Sequence, residues 1–138
     1  MAFKDLCHNF DYGLSIAGAS ITATTTGDAI DLNGITDVMV LVSVGAVATA
    51  DASNYQTFTV TECATAAGTY VAAGTSQYST SDSWDRIINA TTEENDIYAF
   101  NFFPTERYIR VVATETGTTE AIFSANVIKY GRHQPESA

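Results

Sequence analysis

The run DVMVLVSVGA, Asp37 to Ala46, limits the fold more than any other stretch of this chain. Side chains alternate between faces along a strand, so Val38, Val40, Val42 and Val44 share one side while Met39 and Leu41 take the other. A strand apolar on both sides is expected to be covered on both sides, either beneath a loop or within a subunit contact.

Similar runs rich in Val, Ile, Thr, Phe and Tyr recur between glycines at Gly13, Gly18, Gly27, Gly34, Gly45, Gly68, Gly74 and Gly117, and helix signals are nearly absent. Strands are expected near LSIAGASITATTT, DAIDL, DVMVLVSVGA, YQTFTVTECA, TYVAAG, DIYAFNFF, ERYIRVVATET and EAIFSANVIKY. Phe58 and Val60 alternate with Thr57, Thr59 and Thr61, the period of a strand with one wet face. The segment SDSWDRIINATTEEN, with Asp82 or Ser83 as cap and Trp84, Ile87 and Ile88 as a stripe, reads as a strand or a single turn.

In ETGTTE, Gly117 can supply the positive φ of a tight connection, which predicts a long antiparallel hairpin. Ile109, Val111 and Ala113 would line one face of it, with Phe123, Ala125 and Val127 on the partner strand. Short strands, glycine-rich turns and no crossover helices predict an all-β fold, an antiparallel β-sandwich of jelly-roll type. The domain is expected over residues 14–131, between an N-terminal arm (1–13) and a C-terminal tail (132–138). The first arm carries Phe3, Leu6, Phe10 and Tyr12, too much apolar surface to leave in water.

The chain has 138 residues, 46% of them hydrophobic and 16% charged, a composition that folds as one domain. With 6 Lys+Arg against 16 Asp+Glu it stands at −10, which argues against nucleic acid and anionic membrane surfaces as partners. No run approaches the roughly 18–20 apolar residues of a membrane span, and MAFKDLCHNFDYG has no signal-peptide core. Synthesis in a cytoplasm is expected, with Cys7 and Cys63 reduced and Cys63 a buried packing thiol.

Catalytic, cofactor and metal residues are not expected. The only histidines, His8 and His133, lie in the two terminal arms, and no triad, G-x-S-x-G elbow, H-E-x-x-H or phosphate loop occurs. Asp82 with Asp85, and Glu93, Glu94 and Asp96, lack calcium-loop spacing and read as solvated acidic turns. Asn89 begins a glycosylation sequon, which needs a secretory route to matter. Trp84, Tyr70, Tyr78 and Tyr98 could build a sugar-stacking platform, the lesser of the readings open to them beside core and interface packing.

Arg107 and Arg110 stand three apart in ERYIRVVATETG, so a strand would send them to opposite faces and deny them a shared clamp. Each is expected to lay its stem on apolar surface and pair with Glu106, Glu115 or a carboxylate on a neighbouring strand, Arg110 also being placed to face a partner subunit.

The succession MAFKDL, TTTGDAIDLNG, VMVLVSVGA, FTVTECATAAGTY, ERYIRVVATETG and a last strand running to YGRHQP resembles the small head decoration, or cement, proteins of tailed bacteriophages. The resemblance implies a β-sandwich on the outer surface of the capsid, where a symmetric homo-oligomer, a trimer before a dimer, braces contacts between major capsid proteins. It also implies that Arg107, Tyr108 and Arg110 belong to a structural strand. Where the family has an acidic tip after the fourth strand, this chain has CATAAG, Cys63 to Gly68. Phe3, Lys4, Leu6 and Phe10 of the arm are the expected contacts to capsid or neighbouring subunit. A neck or tail component of the virion and a carbohydrate-binding module are the alternatives.

Overall fold

The computed structural model describes residues 11–130. Its strands in chain order are β1 (Asp11–Ile21), β2 (Thr25–Thr26), β3 (Ile30–Asp31), β4 (Asp37–Thr49), β5 (Tyr55–Cys63), β6 (Val71–Ala72), β7 (Ile87–Ile88), β8 (Asp96–Phe102), β9 (Tyr108–Thr116) and β10 (Glu120–Tyr130). They form two antiparallel sheets, the expected sandwich. One runs β1-β10-β4-β8; the other has β9 and β5 at its centre, with β2 and β3 beside β9 and β6 and β7 beside β5. Asp11 to Gly13, expected in the arm, already pair with β10. The segment that read as strand or turn supplies both, as β7 and a 3-10 turn at Thr91–Glu93.

Alternation decides which side chains enter the core. Val38, Val40, Val42 and Val44 of β4 and Phe123, Ala125 and Val127 of β10 face Phe58 and Val60 of β5 and Ile109, Val111 and Ala113 of β9, all buried. Phe58 and Phe123 meet edge to face across the sandwich, ring centres 5.0 Å apart, the geometry the aromatic quadrupole favours. Leu32, Ile88, Phe100 and Phe102 complete the core.

The predicted β9–β10 hairpin does not form. β9 pairs with β5, whereas β10 pairs with β4 and β1 in the opposite sheet. A hairpin and a sandwich corner bury the same alternate residues, so the pattern of Ile109, Val111 and Ala113 against Phe123, Ala125 and Val127 fits both. The corner is held by side chains. Asn54 Oδ1 accepts from Thr118 N at 2.8 Å, Glu115 Oε1 accepts from Thr119 N at 2.8 Å, and Gln56 Nε2 donates to the buried Thr119 Oγ1 at 2.8 Å. Asn54 itself closes the turn after β4, so the two crossings between sheets at this end support each other.

The sheet edges are blunted. Asp96 Oδ1 accepts from Ile97 N and Asp82 Oδ2 from Asn101 N along β8, while the chain at Asp28 donates to Ser15 O beside β1. Such contacts remove the free N–H and C=O groups that would template pairing with another chain.

Gly117 makes the β9–β10 corner possible, with φ at 72°. A Cβ there would lie 2.5 Å from Ser53 O and press on Asn54 Oδ1. Gly117→Ala should therefore cost about 1–3 kcal/mol, read as a lower urea midpoint at unchanged m value. A variant as stable as the parent would show that the corner does not constrain the fold.

Candidate interaction surface

The arginines flagged in the sequence are not brought together. Arg107 precedes β9, and its Nε and Nη2 each donate to a carboxylate oxygen of Asp31 on the adjacent β3 at 2.9 Å. This bidentate fork holds the Asp31 carboxyl below its ordinary range and raises the Arg107 guanidinium. The expected pairing with a neighbouring strand is thus met for Arg107. Arg110 differs, because its guanidinium lies over the Tyr70 ring at 3.9 Å and its buried Nε has no acceptor. Tyr108 is half-buried opposite Asp31 and Cys63 in the sheet, and Arg107 lies 5.3 Å from its ring.

The four aromatics that could have made a sugar platform are engaged by protein groups. Trp84 and Tyr98 stack on each other at 4.8 Å and 18°, Trp84 also packing against Phe58. Tyr78 has Arg86 over its ring at 3.8 Å and accepts from Val60 N through its hydroxyl, and burial pushes that hydroxyl's pKa up. Tyr70 lies apart, under Arg110.

The acidic turns cap backbone. Asp85 accepts from Ile87 N, Asp96 from Ile97 N, and Glu93 from both Asn89 N and Ala90 N. Among the described residues, no three His, Cys, Asp or Glu converge as a metal would need.

Sequence reading passed over Glu62. Its buried carboxylate accepts from Thr105 N at 2.7 Å, Thr105 Oγ1 at 3.1 Å, Glu106 N at 3.4 Å and Gln77 Nε2 at 2.7 Å, pinning the β8–β9 connection to the end of β5. The signal was present, since Glu62 shares parity with Phe58 and Val60 and so had to point inward. Cys63, next along, is half-buried at the strand end rather than a core thiol, because the same parity turns it outward.

Among the described residues, the outer face of the four-stranded sheet is left uncovered. One row across the strands is Tyr12, Ile128, Met39 and Asn101; the next is Leu14, Asn126, Leu41 and Ala99. Further along lie Ser124, Ser43 and Ile97, then Ile122 over Gly45. Tyr12 is 68% exposed, Ile97 61%, Leu14 51% and Ile122 44%. Met39 and Leu41 are half-buried beside these neighbours, and among the described residues no loop is laid across them. Within these rows no residue is charged, in a chain with 22 charged side chains, 6 basic and 16 acidic. Phe3, Lys4, Leu6 and Phe10, the expected arm contacts, lie outside the described residues, as do His8, His133 and Cys7.

In comparisons with known proteins, the chain matches no protein-family model and no curated sequence.

The Asp31–Arg107 pair yields a signed prediction. A carboxyl whose folded pKa is depressed contributes stability above its ordinary value of about 3.9 and loses it as pH falls through the depressed value. Both side chains are about half exposed, 43% for Asp31 and 52% for Arg107, so the contribution is small and weakened by salt. Arg107→Ala should melt below the parent at neutral pH, and the gap should close on acidification. A gap independent of pH would assign the effect to packing of Arg107 on Tyr108.

Proposed function

We propose that the chain is a non-enzymatic virion protein, a decoration protein that binds the outer surface of a tailed-phage head and braces contacts between major capsid proteins. The observation that carries this reading is the uncharged, apolar, exposed sheet face on a β-sandwich at −10. Such a face fits a protein partner. The net charge disfavours packaged nucleic acid as the ligand and suits a position outside the shell. Among the described residues no helix is long and apolar enough to cross a membrane.

The likeness of the sequence to decoration proteins supplies the site of action. We read the strand orders β1-β10-β4-β8 and β2/β3-β9-β5-β6/β7, with the long strands from β4 onward in alternate sheets, as a jelly roll. That topology is common among capsid and lectin domains. The lectin branch draws less support, because Trp84, Tyr98, Tyr78 and Tyr70 each have a protein group against the ring.

On this reading, contact to the capsid runs through the N-terminal arm, with Phe3, Lys4, Leu6 and Phe10 as its anchors. Repetition over the shell lets contacts of a few kcal/mol suffice.

The molar ratio of this protein to major capsid protein in purified virions tests the placement. Between about one in three and one to one is expected for lattice sites under symmetric assembly. A ratio near one in a hundred would move the protein to the neck or tail, and absence from particles would overturn the virion reading. Deleting residues 1–10 should leave cooperative unfolding intact and abolish binding to undecorated heads. Retained binding would sink the arm contact.

A further inference from the structure

We infer that the outer face of the four-stranded sheet is the contact between two copies of this chain, packed face to face about a twofold axis that runs across the strands. This goes beyond the proposed function, takes the dimer where the resemblance favours a trimer, and is tested in solution, so it can fail while head binding stands.

Charge is the first argument. Copies at −10 each repel wherever carboxylates face one another, and the strands of this face carry none between Asp37 at one end and Glu120 at the other, the nearest being Asp82, which holds the Asn101 side chain at the β8 edge. Away from that edge two copies can approach without desolvating a charge. The edges of the same sheet are partly blunted by Asp82, Asp96 and the chain at Asp28, which favours association through its face.

Area is the second. Four strands spaced about 4.8 Å, over the nine residues Asp37–Gly45 at about 3.3 Å each, make a face about 19 Å by about 30 Å. Two such faces bury about 1,100 Å² in total, just below the range of stable specific interfaces and within that of transient ones. The size suits a reversible pair of small sandwiches. Stacked sheets pack about 10 Å apart, the same arrangement that the inner faces already use.

Relief is the third. The end of the face near Tyr12 is high, with Leu14, Met39, Leu41 and Ile128 beside it. Its other half is low over β1, β10 and β4, because Gly18 lies by Ser124, Ser43 pairs with Ser124, and Ile122 leans over Gly45, while Ile97 rises only at the β8 edge. A twofold axis across the strands sets the high half of one copy on the low half of the other, and does so twice, as an isologous contact requires. An axis along the strands would stack high on high.

The experiment is sedimentation velocity on the full chain from low micromolar to about 0.1 mM, a range that brackets a dimer of modest affinity. The expected species is a dimer of twice the 14.7 kDa chain mass. Added salt should tighten it by screening the acidic rims, the opposite of an interface held by ion pairs. The double variant Leu14→Lys/Ile97→Lys should weaken dimerisation at least tenfold with its melting curve retained; lysine is chosen because it lowers the net negative charge, so general repulsion cannot explain the loss. Val71→Lys, equally exposed on the other sheet, should leave dimerisation unchanged. A monomer at every concentration, a trimer, or a dimer indifferent to Leu14→Lys/Ile97→Lys would each overturn the assignment.

Discussion

Phe58 and Phe123, edge to face at 5.0 Å, mark the constraint on which this structure depends: each sheet can bury its inner face only against the other. Among the described residues no α-helix covers either sheet, so the two inner faces are filled by a chain that passes repeatedly between layers. It crosses the sandwich after β1, β3, β4, β7, β8 and β9. Every crossing exposes backbone groups that need partners. Asn54, Glu115, Thr119 and Glu62 supply them at the connections after β4, β8 and β9.

The polar side chains make sense within that scheme. An acidic composition looks at first like a catalytic or metal-binding resource, yet Asp51, Asp82, Asp85, Glu93 and Asp96 each accept from backbone N–H groups in turns. Capping of this kind lets short irregular segments stay ordered without secondary structure of their own. The cations are used similarly. Arg107 forks onto Asp31, Arg110 lies on Tyr70, and Arg86, at φ 65°, lies over Tyr78. With these groups engaged inside the molecule, the uncharged outer face of β1, β10, β4 and β8 stands out as surface suited to a protein partner. By our inference that partner is a second copy of the chain, and placing the protein on a phage head is our proposal.

Where the long strands β4, β5, β9 and β10 run was legible, because burial of one face imposes a period of two that residues such as Val38 to Val44 and Phe58 to Val60 display openly, whereas LSIAGASITATTT, expected as one strand, divides into β1 and β2 in opposite sheets. The double-sided apolar character of DVMVLVSVGA also announced that Met39 and Leu41 would need company, and they lie on the exposed apolar face. Roles set by distant contacts were hidden. Arg110 was expected to find a carboxylate and found Tyr70, forty residues away in the chain, and Glu62 was overlooked although its parity placed it inside.

The sequence alone determined an all-β chain, the inward-facing apolar residues of β4, β5, β9 and β10, a net charge of −10, and that Arg107 and Arg110 do not form one clamp. These follow from local alternation and from charge, which a chain carries whatever its neighbours are. Only the tertiary structure decided that β9 and β10 belong to different sheets, that Trp84 and Tyr98 close on each other, and that Tyr12, Leu14, Met39 and Leu41 come to share one uncharged face. Alternation specifies which side of a strand is buried but not which strand lies beside it, and partner choice depends on how the whole set of faces can be covered at once.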